Sequence, residues 1–207
     1  MGTEIAFIIA LAVAVAATFW LILRSASDKI ITQYRIISEK LNLEVTIPES
    51  KLLGFVRNEP ASYGIYRGRE LSLSVPGKGL QNTRQIETVL KIELKNPDLR
   101  AQFTAAGIIG RFKQRDSGGM TRWQSGDASF DQAIDVRSNH GQQLKAILGK
   151  KALNWLRRSL KNSKGSLYIG NGTLVYTELG LISNEAVRQR FEEMIEFLCD
   201  LAETVEA

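Results

Sequence analysis

Asp127, Asp131 and Asp135 recur at even spacing, and Gly126-Asp127 gives the first of them a loop-like setting. If the segment is a strand, Asp131 and Asp135 share one face, because side chains alternate along a strand, and Arg137 lies beside them. Two such carboxylates could coordinate Mg²⁺ or form the acid pair of a hydrolase. The competing reading is the charged solvent face of an edge strand, which also discourages aggregation. Paired acids arise cheaply in any sequence, so the structural reading is the expectation here. An enzyme built on Asp131 and Asp135 ranks third among the functional readings.

Other chemistry is limited by inventory. One histidine and one cysteine exclude a Cys/His zinc site made from this chain. His140 lies between Arg137-Ser138-Asn139 and Gly141, a strand-to-helix loop, where a turn residue is expected before a general base. Cys199 adjoins the apolar seam of the last helix and has no basic or imidazole neighbour, so it reads as a small buried hydrophobe. Gly77-Lys78-Gly79 lacks the spacing and the Lys-Ser/Thr pair of a nucleotide loop, and Ile169-Gly170-Asn171-Gly172 is better explained as a hairpin. No catalytic residue, metal ligand or cofactor is assigned. The expectation is a non-enzymatic protein.

Charge segregation is the one feature of the soluble part that stands out. Over 136–177 the bases are Arg137, Lys145, Lys150, Lys151, Arg157, Arg158, Lys161 and Lys164, and no acid interrupts them. The last helix is opposite in sign, with Glu185, Glu192, Glu193, Glu196, Asp200, Glu203 and Glu206 against Arg188 and Arg190. The basic helix could dock on anionic lipid at about 1 kcal/mol per base, with Trp155 inserting beside Arg157 and Arg158. Alternatively both are solvated faces, or the two helices are neighbours and attract each other. A net charge of only +5 and no recognisable reader motif argue against nucleic acid.

The elements that must position these residues begin with a membrane segment. Residues 5–23 read IAFIIALAVAVAATFWLIL, uncharged throughout and closed by Arg24. Such a run, at ~1.5 Å per residue, spans a hydrocarbon core of ~30 Å. A cleaved signal peptide fits poorly. Its first residues carry an acid and no base, and the apolar run continues through Trp20 beyond Ala14-Val15-Ala16. Arg24, Lys29, Arg35 and Lys40 follow the run and only Glu4 precedes it, which places the N-terminus outside and the domain in the cytoplasm. A single cysteine agrees with a compartment that needs no disulfide. Ala6, Ala10, Ala14 and Thr18 form a stripe of small side chains, a permissive seam for helix self-association.

Ser25-Ala26-Ser27-Asp28 offers polar punctuation and helix caps. Ile30, Tyr34, Ile37 and Leu41 then repeat at helical spacing, predicting an amphipathic helix that packs on the following domain. The expected organisation is an anchor over 1–24, a juxtamembrane helix over 25–41, and one soluble domain over 42–207. With 44% hydrophobic residues and four prolines, that domain can bury an ordinary core.

Its first half predicts strands. Residues 63–66 and 70–75 flank Arg67-Gly68-Arg69 as a hairpin. Ile86, Thr88, Leu90, Ile92 and Leu94 alternate with Glu87, Lys91 and Glu93. Residues 102–112 and 130–137 suggest further strands, with a loop over 115–119. The second half predicts a helix over 142–160, a hairpin across Gly170-Asn171-Gly172, and a last helix capped at Ser183 or Asn184. The last helix presents Val187, Phe191, Met194, Leu198, Leu201 and Val205 to the core. The fold class is α+β, helices laid on an antiparallel sheet.

The membrane helix, Ser38-Glu39-Lys40-Leu41-Asn42-Leu43, Gly64-Ile65-Tyr66-Arg67-Gly68-Arg69 and the segment from Phe130 to Ser138 together resemble a loose group of bacterial single-pass, membrane-anchored proteins with one soluble domain. The Gly-Thr-Leu-Val-Tyr strand and the Leu-Cys-Asp-Leu-Ala helix fit it too. The resemblance implies bacterial inner-membrane placement and carries over no catalytic residue. The leading expectation is an inner-membrane protein presenting a cytoplasmic α+β domain to a protein partner. Docking on anionic lipid through the basic helix comes second.

Overall fold

The computed structural model describes residues 2–49, 59–76, 86–96, 98–106, 119–163 and 165–207. It opens with one helix of 40 residues, α1 (Gly2–Leu41). The expected break at Ser25-Ala26-Ser27-Asp28 does not occur. Asp28 lies one turn from Arg24 (4.0 Å) and its carbonyl accepts a bond from the Thr32 hydroxyl (2.8 Å), so its polar groups are used without stopping the helix. Ending there would have left carbonyls without intrahelical partners. The apolar first half is exposed. Tyr34, Ile37 and Leu41 at the other end are buried in the domain core.

Nine strands follow in one sheet: β1 (Glu44–Thr46), β2 (Ala61–Tyr66), β3 (Arg69–Ser74), β4 (Glu87–Glu93), β5 (Ala101–Ala105), β6 (Thr121–Trp123), β7 (Ile134–Ser138), β8 (Ser166–Gly170) and β9 (Thr173–Leu179). Their order is β1-β2-β3-β4-β9-β8-β5-β7-β6, and every pairing is antiparallel. Among the described residues four helices accompany them: α2 (Ala128–Ala133), α3 (Gly141–Ile147), α4 (Lys150–Ser163) and α5 (Glu185–Glu206). The fold class is α+β, as the change of hydrophobic period along the chain predicts.

The register explains where the core sits. Leu73 pairs with Leu90, Leu90 with Tyr176, Tyr176 with Leu167, Leu167 with Phe103, and Phe103 with Val136. All six are buried on one face, so a single apolar row crosses six strands. On this row α5 lays Phe191, Met194, Ile195, Leu198 and Leu201, and α4 lays Leu153, Leu156 and Leu160. Asn184 caps α5 by accepting from the Val187 N–H (3.0 Å).

Both predicted hairpins form, each on a two-residue turn. Arg67 and Gly68 have φ of 50° and 73°, and Asn171 and Gly172 have 53° and 71°, the left-handed pair that matches strand twist. Two further expectations change. Of the strand expected over 130–137, residues 134–137 form β7, but 130–133 belong to helix α2, because Asp127 caps it and Phe130 plugs into the core. The helix expected over 142–160 is two helices, parted where buried Leu148 ends α3 and Gly149 follows. The strand expected over 102–112 is described only to Ala105. Residues 107–118, with most of the expected loop over 115–119, and Gly77-Lys78-Gly79 lie outside the described residues.

The β2–β3 turn is clasped to α5. Arg67 reaches Asp200 (2.7 Å), Glu203 (2.8 Å) and Glu196 (3.3 Å). Buried Arg69 holds Glu206 through two bonds (2.6 and 2.8 Å), and the Lys95 N–H donates to the same carboxylate (2.7 Å). These contacts pull the Glu206 carboxyl from its ordinary 4.5 to about 2, the Arg69 bond contributing most. A depressed carboxyl stabilises the fold above its ordinary value, and that contribution is lost as pH falls towards 2. Glu206→Gln should therefore cost about 2 kcal/mol at neutral pH and flatten the acid limb between the two values, measured by denaturant unfolding across pH.

Candidate functional site

The fold separates Asp127, Asp131 and Asp135. Asp127 caps α2, its Oδ1 accepting from the N–H groups of Ser129 (2.9 Å) and Phe130 (3.2 Å) and from the Ser129 hydroxyl (2.6 Å). Those bonds, the Ser129 hydroxyl first, hold its carboxyl below the usual range, and the Arg157 guanidinium adds to them. Asp131 lies on α2, so it does not share a strand face with Asp135. It accepts from the Ser125 N–H (2.9 Å) and hydroxyl (2.8 Å) and the Gly126 N–H (3.2 Å), tying down the loop before α2. Asp135, on β7, faces Arg122 (3.2 Å) and Arg137 (3.9 Å). Among the described residues no group of three or more metal-ligating side chains converges.

The other candidates resolve similarly. Cys199 is fully buried, and burial pushes its thiol up to about 11, far from a nucleophile at neutral pH. His140 precedes α3 as an exposed residue whose side chain makes no capping bond. Ala6, Ala10, Ala14 and Thr18 share an exposed face of α1, and the Thr18 hydroxyl bonds back to the Ala14 carbonyl (2.8 Å). At the end of the apolar run, Arg24 lies over the Trp20 ring, 5.2 Å from its centroid.

The two helices of opposite charge are neighbours, though not through their charges. Trp155 of α4 stacks on Phe197 of α5, ring centroids 4.0 Å apart, so one face of the half-buried Trp155 ring is committed to the domain. Five acids of α5 are engaged elsewhere: Glu192 with Lys40 (2.6 Å) and Arg188, and Glu196, Asp200, Glu203 and Glu206 with the clasp. Arg190 instead holds buried Glu178, which also accepts from the Tyr176 hydroxyl (2.6 Å). Among the described residues, no acid forms an ion pair with Lys145, Lys150, Lys151, Arg157, Arg158 or Lys161. The side chain of Lys164 lies outside them.

Half of these bases converge. An open cleft of about 550 Å³ runs between α2 and the C-terminal half of α4, lined by Ala105, Ala106, Ser129, Gln132, Ala133, Arg157, Arg158, Lys161 and Asn162. Residues 157, 158 and 161 group because helix positions three and four apart are neighbours on the surface. Lys145, Lys150 and Lys151 do not line it. Sequence reading found the bases but missed the cleft, because its opposite wall is α2, which reads as strand.

No protein-family model matches the chain, and no curated protein sequence does. A solved structure does. The fold is similar to the crystal structure of the mycobacterial trehalose monomycolate transport factor A, TtfA, with a TM-score of 0.57 and 11% identity, covering 84% of this chain and 94% of that one. At that identity the likeness shows a shared fold and nothing finer.

Because the Asp131 carboxylate closes a loop, Asp131→Ala should lower stability by about 2 kcal/mol, and added Mg²⁺ should leave the melting temperature of the natural protein unchanged. A Mg²⁺-dependent rise in melting temperature that Asp131→Ala abolishes would reinstate the metal reading.

Proposed function

We propose that the chain is a non-enzymatic, single-pass inner-membrane protein of bacterial type that presents its α+β domain, on the cytoplasmic side, to a protein partner. The observation that carries this reading is the continuity of α1. It is the one helix among the described residues long and apolar enough to cross a membrane, and its most apolar stretch is wholly exposed. An exposed apolar face of that size has no stable place in water. The same helix ends as a buried member of the domain core, so membrane and domain are joined by one element.

The side of the membrane follows from charge. Bases at Arg24, Lys29, Arg35 and Lys40, against Glu4 alone, favour a cytoplasmic domain. The non-enzymatic reading draws on the carboxylates, each of which has a structural duty. The structural neighbour is a transport factor, which adds an analogy of fold alone.

Two experiments address the reading. In sealed inverted inner-membrane vesicles, protease should digest the domain and spare α1; a domain protected there and cut in right-side-out vesicles would reverse the orientation. Cross-linking of the intact protein in native membranes should recover a defined membrane-protein partner. Recovery of only the monomer, across cross-linkers of different reach, would count against an interaction domain.

A further inference from the structure

Strand register assigns the basic cleft a position relative to the membrane. The Ser38 and Ser62 hydroxyls share a buried hydrogen bond (2.7 Å), placing the last turns of α1 beside the beginning of β2. The helix advances in the same direction as α5, since Gln33 meets Arg188 and Lys40 meets Glu192, and Leu43, just past the end of α1, abuts Gly64 further along β2. Earlier residues of α1 therefore lie beyond the end of the sheet where β2 starts. Gln33 is held there by Arg188 (3.0 Å), in the first turn of α5, just after β9 finishes. The antiparallel ladder carries that end across the sheet: where β2 starts, β9 ends, β8 starts, β5 ends and β7 starts.

The cleft is built from those same ends. Ala105 closes β5, Ala133 immediately precedes β7, and Lys161 and Asn162 lie in the last turn of α4, just before β8. Lys150 and Lys151, at the other end of α4, point to the far end of the sheet. From Leu23 to Ile30, the first residue packed against the core, α1 advances only about 10 Å. A bilayer surface at Arg24 is thus about one Debye length from the first residue of α1 that packs on the domain, and the cleft is built at the corresponding ends of strands further across the sheet.

We propose that Arg157, Arg158 and Lys161 seat the phosphate of an anionic phospholipid headgroup from the bilayer that α1 crosses; the proposal rests on the anchor reading and is independent of which side the domain faces. Two guanidinium forks and an ammonium suit phosphate oxygens, and the Gln132 and Asn162 amides add donors at the rim. Asp127, an acid that feels Arg157, has an oxygen bound by Ser129 and Phe130, and among the described residues no acid forms an ion pair with Arg157, Arg158 or Lys161. The cleft is open, which suits a headgroup presented by a surface better than a small solute that must be enclosed.

The test uses the full chain in nanodiscs of phosphatidylcholine alone or mixed with phosphatidylglycerol. Phenylglyoxal modification of Arg157 and Arg158 is mapped by mass spectrometry, with Arg122 as internal reference. Phosphatidylglycerol should protect both arginines selectively, and high salt should remove the protection. In a second arm a fluorophore at Ala128→Cys is quenched by spin-labelled headgroups; buried Cys199 stays unlabelled. Arg157→Gln, Arg158→Gln and Lys161→Gln together should reduce the docked-to-free ratio roughly a hundredfold, while Lys150→Gln with Lys151→Gln leaves it unchanged. Protection and quenching equal in both lipids would overturn the proposal. Protection by inorganic phosphate in phosphatidylcholine discs, matching that of phosphatidylglycerol, would assign the cleft to a soluble phosphate and overturn it equally. Should the triple variant melt early, the natural chain's lipid and salt dependence decides alone. A chain that fails to enter discs would instead refute the anchor.

Discussion

One helix must satisfy two solvents, and the rest of the molecule is arranged around that demand. The first half of α1 is apolar on every side, as a helix surrounded by hydrocarbon should be. Its last third buries only one stripe, Tyr34, Ile37 and Leu41, against the sheet and α5. Ser38 lies inside the same contact and would be costly there without a partner, so its bond to Ser62 fixes how the helix sits on the sheet. Because no element intervenes between the two halves, every position in the domain has a defined height above the anchor.

Around that frame the polar groups of α5 keep it in place at both ends. Near its start, Arg188 meets Gln33 and Glu192, and Arg190 meets Glu178, a buried carboxylate that also holds the Tyr176 hydroxyl. Near its end, the β2–β3 turn supplies Arg67 and Arg69. A buried charge left without its partner is far costlier than the pair is stabilising, so these contacts specify one placement of the helix more than they add stability. Their second effect is electrostatic. They use most acids of α5 locally, and among the described residues none of these acids forms an ion pair with a base of α4.

Most of the fold was legible in the sequence wherever periodicity or turn chemistry ran strong. The core face of α5 follows from spacing, and a cap at Ser183 or Asn184 and both glycine-containing hairpins follow from residue chemistry; the structure selects Asn184. Residues 128–133 misled because Phe130, Ile134 and Val136 also satisfy a strand period. What made the first part a helix was the Asp127 cap, a local hydrogen-bond choice that periodicity does not register. The split between α3 and α4 was signalled only by Gly149. As for the site, the bases were visible as a run, but their division into a clustered half and a scattered half depends on which strands are neighbours. That is decided by pairings between distant residues such as Phe103 with Leu167 and Val136, to which a linear reading is blind.

The unbroken α1 has a rotational consequence. Between Thr3 and Leu41 it contains neither proline nor glycine, so nothing in it serves as a swivel. Each residue added to or removed from its stretch between membrane and domain would turn the domain about the helix axis by about 100° while changing its height by only about 1.5 Å. The domain's compass heading over the bilayer is therefore encoded as the phase of a helix. A change of a single residue in that stretch would aim a different side of the protein at its surroundings without altering any contact within the fold.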